Sequence, residues 1–114
     1  GLCKHRFDVL NVILNDLNTS GYNNILIMGL NSIATSDVSI NQMVKENTLP
    51  WGSDNDQYQI WDNWKVNLRD LYVFKPNSEL YAWINLTDFN PEPKAADSTN
   101  YKELKKILIN AITG

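Results

Sequence analysis

Gly21-Tyr22-Asn23-Asn24-Ile25-Leu26-Ile27-Met28-Gly29 is where one kind of periodicity gives way to another. Upstream, Lys4 to roughly Thr19 repeats apolar residues at helical spacing. Phe7, Leu10, Ile13, Leu14 and Leu17 form one stripe, which Val9 and Val12 widen. Gly21 stands where a helix C-terminus wants a residue that tolerates positive φ. From Asn24 to Gly29 the apolar residues are continuous. The shortness of that run, its β-branched residues and its flanking glycines predict a strand buried on both faces. A helix leading directly into such a strand is the second half of a βαβ unit.

Working outward, Asn31 to Ser39 is small and polar, a loop, and Ile40, Met43 and Val44 fit a short helix ending near Glu46. Thr48 to Trp51 is extended, because Pro50 disfavours helix at the residue before it. After a turn over residues 52–57, Tyr58, Trp61 and Trp64 recur at three-residue steps and predict a short helix with one apolar face. Leu71–Phe74 and Leu80–Leu86 read as an antiparallel hairpin, joined by Lys75-Pro76-Asn77-Ser78-Glu79. Asn90 to Ser98, with two prolines, is a loop. A last helix from Asn100 to about Ala111 buries Tyr101, Leu104, Ile107, Leu108 and Ala111, with Asn100 and Glu103 spaced as a capping box.

The length of 114 residues fits one domain over residues 1–114. A net charge of −3 argues against a nucleic-acid partner, which needs a clustered basic surface. No apolar span of about twenty residues encodes a membrane crossing. The single cysteine excludes an internal disulfide, and one histidine beside it cannot complete a zinc site. Sequons at Asn18 and Asn85 carry little weight at this asparagine content.

The element order is helix, strand, two short helices, two strands, helix, and one strand before Gly1 would complete β-α-β-α-β-β-α. Several short motifs, in the same order along the chain, carry a resemblance. They are Gly1-Leu2-Cys3-Lys4-His5-Arg6-Phe7 ahead of a leucine-rich helix, Gly21-Tyr22-Asn23-Asn24-Ile25, Leu49-Pro50-Trp51 with Ile60-Trp61, and Arg69-Asp70-Leu71-Tyr72-Val73-Phe74. Together they resemble the redoxin branch of the thioredoxin-like superfamily, which includes peroxiredoxin-like proteins and the selenoprotein P N-terminal domain. The resemblance implies an α/β fold, a thioredoxin-like three-layer α/β/α sandwich lacking its first, central strand. Arg69 and Asp70 stand where a thioredoxin has its cis-proline, which favours the redoxin side.

Cys3 is the candidate reactive group. A helix N-terminus favours the thiolate through its free N–H groups and dipole, and the alternative on residues alone is a free thiol without a role. The resemblance makes Cys3 the second residue of a Cys-x-x-Cys or selenocysteine-x-x-Cys site. It implies a thiol-disulfide oxidoreductase or thiol/selenol peroxidase whose partners are a disulfide or peroxide substrate and an external thiol reductant. It implies no cofactor beyond the redox pair, and by analogy an extracytoplasmic location. Arg69 is then a second catalytic candidate, polarising a peroxide. The alternative for Arg69 is a surface ion pair with Asp70 or Asp62. Trp61, Trp64 and Pro50 are candidates for substrate contact. A rival function is a non-catalytic binding domain whose tryptophans offer a platform to a sugar or peptide.

Overall fold

Phe7, Val9, Leu10, Ile13 and Leu17 are buried along one side of an 18-residue helix, α1 (Leu2–Thr19), and the rest of the chain covers that side. The computed structural model describes residues 2–31, 49–93 and 98–113. The expected loop after Asn31 and the short helix ending near Glu46 lie outside those residues, as does the side chain of Cys3. The stripe is narrower than its apolar residues suggest. Val12 is 44% exposed and Leu14 is only half-buried, because the covering elements reach one flank of the helix.

The helix stops where the sequence places the stop. Gly21 has φ +99°, and with it Tyr22 N–H reaches back to Leu17 O at 2.9 Å and Gly21 N–H to Asn18 O at 3.1 Å. These two bonds satisfy carbonyls that would otherwise be orphaned at the helix end.

The strand expected over Asn24–Gly29 starts later. Pairing begins at β1 (Gly29–Asn31), which runs parallel to β2 (Trp51–Ser53) with Gly29 opposite Trp51. Ile25 to Met28 precede it without a ladder, and only Ile27 is buried. Leu26 is 75% and Met28 55% exposed. The run is therefore covered on one face, against expectation, because only the side of Ile27 meets the helical layer.

The hairpin forms as read, from β3 (Asp70–Phe74) and β4 (Leu80–Asn85), with Tyr72 opposite Trp83 and Val73 opposite Ala82. Its turn closes through Lys75 N–H to Glu79 O at 2.8 Å, with Ser78 in the left-handed region at φ 73°. Side chains alternate across a strand, so Leu71, Val73, Ala82 and Ile84 face the core while Tyr72, Phe74 and Trp83 face away. The last helix, α3 (Thr99–Thr113), buries Tyr101, Leu104, Leu108 and Ala111. It begins one residue before Asn100, which therefore lies inside the first turn and not at the cap. Tyr101 Oη donates to the Asp16 carboxylate, and Lys105 Nζ lies 3.9 Å from that carboxylate, tying α3 to α1. Burial and that carboxylate both hold the Tyr101 phenol protonated well above its ordinary range.

The tryptophan repeat makes less helix than its spacing implies. Between β2 and β3 lies a single short turn, α2 (Ile60–Asn63), with Gln59 before it at φ 44°. That left-handed residue takes Tyr58 out of the helix, where it is 60% exposed. Among the described residues the fold is thus mixed α/β, with three helices and two separate two-stranded sheets. α3 packs on the inner face of the β3–β4 hairpin, α1 contributes to the same core, and Trp64 lies against Tyr72 and Phe74 on the outer face.

Candidate functional site

Cys3 lies in the first turn of α1, where backbone N–H groups have no helical acceptor. Three residues on, hence on the same side of the helix, Arg6 is buried to 8% exposure and its Nε donates to Leu86 O at 2.7 Å. The same residue, Leu86, donates its N–H to Arg69 O at 2.8 Å. Leu86 therefore links the helix end that carries Cys3 to the start of β3, where Arg69 sits. Phe7, next along α1, meets Trp51 of β2 edge-on, with ring centroids 4.9 Å apart. Two adjacent residues, one turn beyond Cys3, thus hold both strand pairs.

Arg69 is held in the left-handed region at φ 68°, and its Nε donates to Thr87 Oγ1 at 2.6 Å. The Asp70 carboxylate is engaged elsewhere. It accepts Asn67 N–H at 2.7 Å and Asn85 Nδ2 at 2.9 Å. Lys4 pairs with Asp8 at 2.7 Å, and His5 contacts the Glu92 carboxylate, closing the loop after β4 onto the first turns of α1.

The three expected contact residues divide between the strand pairs. Pro50 is exposed, and its carbonyl accepts Gly29 N–H at 2.9 Å. Trp61 approaches the same strand, donating Nε1 to Leu30 O at 3.3 Å. Trp64 goes the other way, packing edge-on to Tyr72 at 5.3 Å and tilted against Phe74 at 5.9 Å. Pro50 and Trp61 thus flank β1, while Trp64 belongs to the outer face of the hairpin.

Two residues of consequence were not singled out in the sequence. Arg6 carried a signal, since positions 6, 10, 13 and 17 follow core spacing and place a guanidinium on the apolar stripe. Asp54, 7% exposed, carried only a weak one. Its carboxylate accepts the N–H groups of Asn55 and Ile60 through Oδ1, at 2.9 and 3.0 Å, and of Trp61 through Oδ2 at 2.9 Å. Desolvation pushes this carboxyl up, but the N–H groups of Trp61, Ile60 and Asn55 outweigh it and hold the group below its ordinary value. Asp54 so anchors α2, and with it Trp61 and Trp64.

Among the described residues no group of three or more His, Cys, Asp or Glu side chains is placed to hold a metal ion, and no helix is long and apolar enough to cross a membrane. Comparison with protein-family models, with curated proteins and with solved structures returns no match.

Proposed function

We propose that this chain is a thiol-redox domain of the thioredoxin-like, redoxin type, in which Cys3 is the second residue of a Cys-x-x-Cys or selenocysteine-x-x-Cys site. The observation that carries the reading is the place of Cys3 in the first turn of α1, with the buried Arg6 one turn on and its Nε donating to Leu86 O. Positive charge and a helix N-terminus both lower a thiol's pKa, and the thiolate is the form that reacts. The packing of α3 on one face of the hairpin supports the α/β part of the reading.

In the proposed cycle a thiolate or selenolate three positions before Cys3 attacks one sulfur of a substrate disulfide. The S–S bond breaks, and the departing thiolate takes a proton. Cys3, as thiolate, then attacks the mixed bond, releases the second substrate thiol and closes an internal bond. With a peroxide the first attack is on oxygen, the O–O bond breaks and the departing alkoxide or hydroxide takes a proton to leave as alcohol or water. Cys3 then condenses with the resulting sulfenic or selenenic acid, releasing one water. In both cases two electrons from an external thiol donor reset the pair. Arg6 acts as a positioning residue through its charge, and Arg69 is the cation assigned to polarise a peroxide oxygen.

Alkylation of Cys3 by iodoacetamide as a function of pH tests the premise. The thiol is expected to titrate below about 8.5, the value of an unperturbed cysteine, and Arg6→Gln is expected to move it upward. Placing a cysteine immediately before Gly1, to read Cys-Gly-Leu-Cys, should create disulfide reductase activity that Cys3→Ser abolishes. An unshifted thiol together with no turnover in that variant would defeat the proposal.

A further inference from the structure

We infer that the outer end of the β3–β4 hairpin is a binding site for a neutral pyranose saccharide, seated on the exposed face of Trp83. This inference does not rest on the redox reading. An open cleft of about 580 Å³ lies there, walled by Trp83 and by Asn67, Asp70, Asn85, Thr87 and Asp88.

Trp83 supplies the platform. Its ring is 55% exposed, yet it is stacked on Tyr72 with centroids 5.5 Å apart and planes 13° from parallel. Tyr72 is in turn braced edge-on by Trp64. An aromatic ring fixed on one face and open on the other is preorganised, so little entropy is lost when a ligand covers it. The negative π face suits the C–H face of a pyranose, whose hydrogens carry slight positive charge.

The polar groups are fixed with similar care, and they offer what sugar hydroxyls require. Asn85 Nδ2 bonds Asp70 Oδ1 at 2.9 Å and Leu68 O at 3.1 Å, while Asn85 Oδ1 accepts Thr87 N–H at 2.9 Å. Asp70 Oδ2 takes Asn67 N–H at 2.7 Å. These bonds orient the Asp70 carboxylate but leave each of its oxygens a further lone pair. Thr87 Oγ1 accepts from Arg69 Nε at 2.6 Å, so its own proton is available to a ligand. Asp88 is exposed at the rim and adds a second carboxylate. Carboxylate acceptors stand beside the Thr87 hydroxyl and the Asn67 side-chain amide, which suits a ligand whose hydroxyls both donate and accept.

The same charges weigh against other occupants. Two carboxylates repel uronic acids, phosphates and sulfates. The Arg69 guanidinium, bonded to Thr87, offsets part of that charge and reduces the pull on a cationic side chain. An apolar peptide would leave the remaining acceptor capacity of Asp70 and the Thr87 hydroxyl proton unused, where sugar hydroxyls would engage them.

The test is titration of the isotope-labelled chain with cellotriose, triacetylchitotriose, trigalacturonic acid and an oligoarginine peptide, read by NMR shifts of the Trp83 indole N–H and the residue 67–88 amides. At least one neutral trisaccharide should bind with a Kd on the order of 1 mM, with shifts confined to this region and unchanged in Cys3→Ser. Trp83→Ala should weaken binding roughly tenfold, the effect of losing one aromatic stack. Asp88→Ala, at an exposed loop position where folding is not at issue, should weaken it several-fold, and Tyr58→Ala should leave it unchanged. The inference is overturned by the absence of saturable shifts with both neutral sugars up to about 10 mM. Tighter binding of the uronate or of oligoarginine, or shifts centred elsewhere, would overturn it equally.

Discussion

Asp54 and Arg6 are both charged and both buried, and each is tolerated for a different reason. Arg6 spends its long apolar stem along the α1 stripe and meets a carbonyl with its Nε. Asp54 instead replaces water with three backbone N–H groups at the entry to α2. Its pKa is lower folded than unfolded, so it contributes stability at pH values above the ordinary 3.8, and that contribution is lost as pH falls through the folded value. Asp54→Asn keeps one oxygen acceptor but no longer titrates. The variant should be less stable near neutrality, and its melting temperature should fall less steeply than the wild type's between about pH 5 and pH 2. Parallel acid profiles for the two proteins would remove Asp54 from this role.

At the scale of elements, β1 depends on a missing side chain. A Cβ built on Gly29 would lie 2.0 Å from Trp51 Cε3 and 2.2 Å from Cζ3, so the indole lies directly over the glycine. That ring also meets Phe7, and its Nε1 is buried with no partner among the described residues. Gly29→Ala must therefore push Trp51 away and should cost about 1–3 kcal/mol, the usual range for overpacking. In Trp51→Leu the same change should cost much less, giving a clear coupling in a double-mutant cycle by urea denaturation. Strict additivity would mean that the two residues do not share this contact. The glycine after the apolar run was expected to end the strand, whereas β1 begins there. Coverage of Ile25 to Met28 was not visible, because four consecutive apolar residues state hydrophobicity without stating how many faces a neighbour reaches. The Tyr58-Trp61-Trp64 spacing misled for a related reason. The left-handed backbone at Gln59 has no strong signature in a glutamine, and the anchoring carboxylate is five residues before it. The hairpin was legible because a proline- and asparagine-bearing connector and two short β-rich runs agreed. Of the candidate site, the place of Cys3 on a helix end was legible from local pattern. Its link to Arg69 was not, since it runs through Leu86, 80 residues along the chain from Arg6.

The two strand pairs are not hydrogen-bonded to each other among the described residues, so the molecule's unity has to come from its apolar contacts. One cluster supplies it. Phe7, Leu10, Ile13 and Leu17 of α1 pack with Ile27 and Leu49 near the parallel pair, with Val73 and Leu86 of the hairpin, and with Leu104 and Leu108 of α3. Ile13 and Leu104 are fully buried, at 0% exposure, so any cavity opened at either is shared by the elements around it. Such a core should unfold as a unit, with both pairs losing protection together. Ile13→Ala removes buried methyl groups and should lower stability by about 3 kcal/mol. Native-state hydrogen exchange in low denaturant should then show Gly29 N–H, bonded to Pro50 O, and the hairpin amides losing protection with one common free energy. The drop on Ile13→Ala should be equal at both. If the parallel pair opens at lower free energy, and only one of the two groups of amides responds to the substitution, the chain holds two units joined by α1. In that case the Arg6 and Phe7 contacts would be hinges between them and not parts of one rigid frame around Cys3.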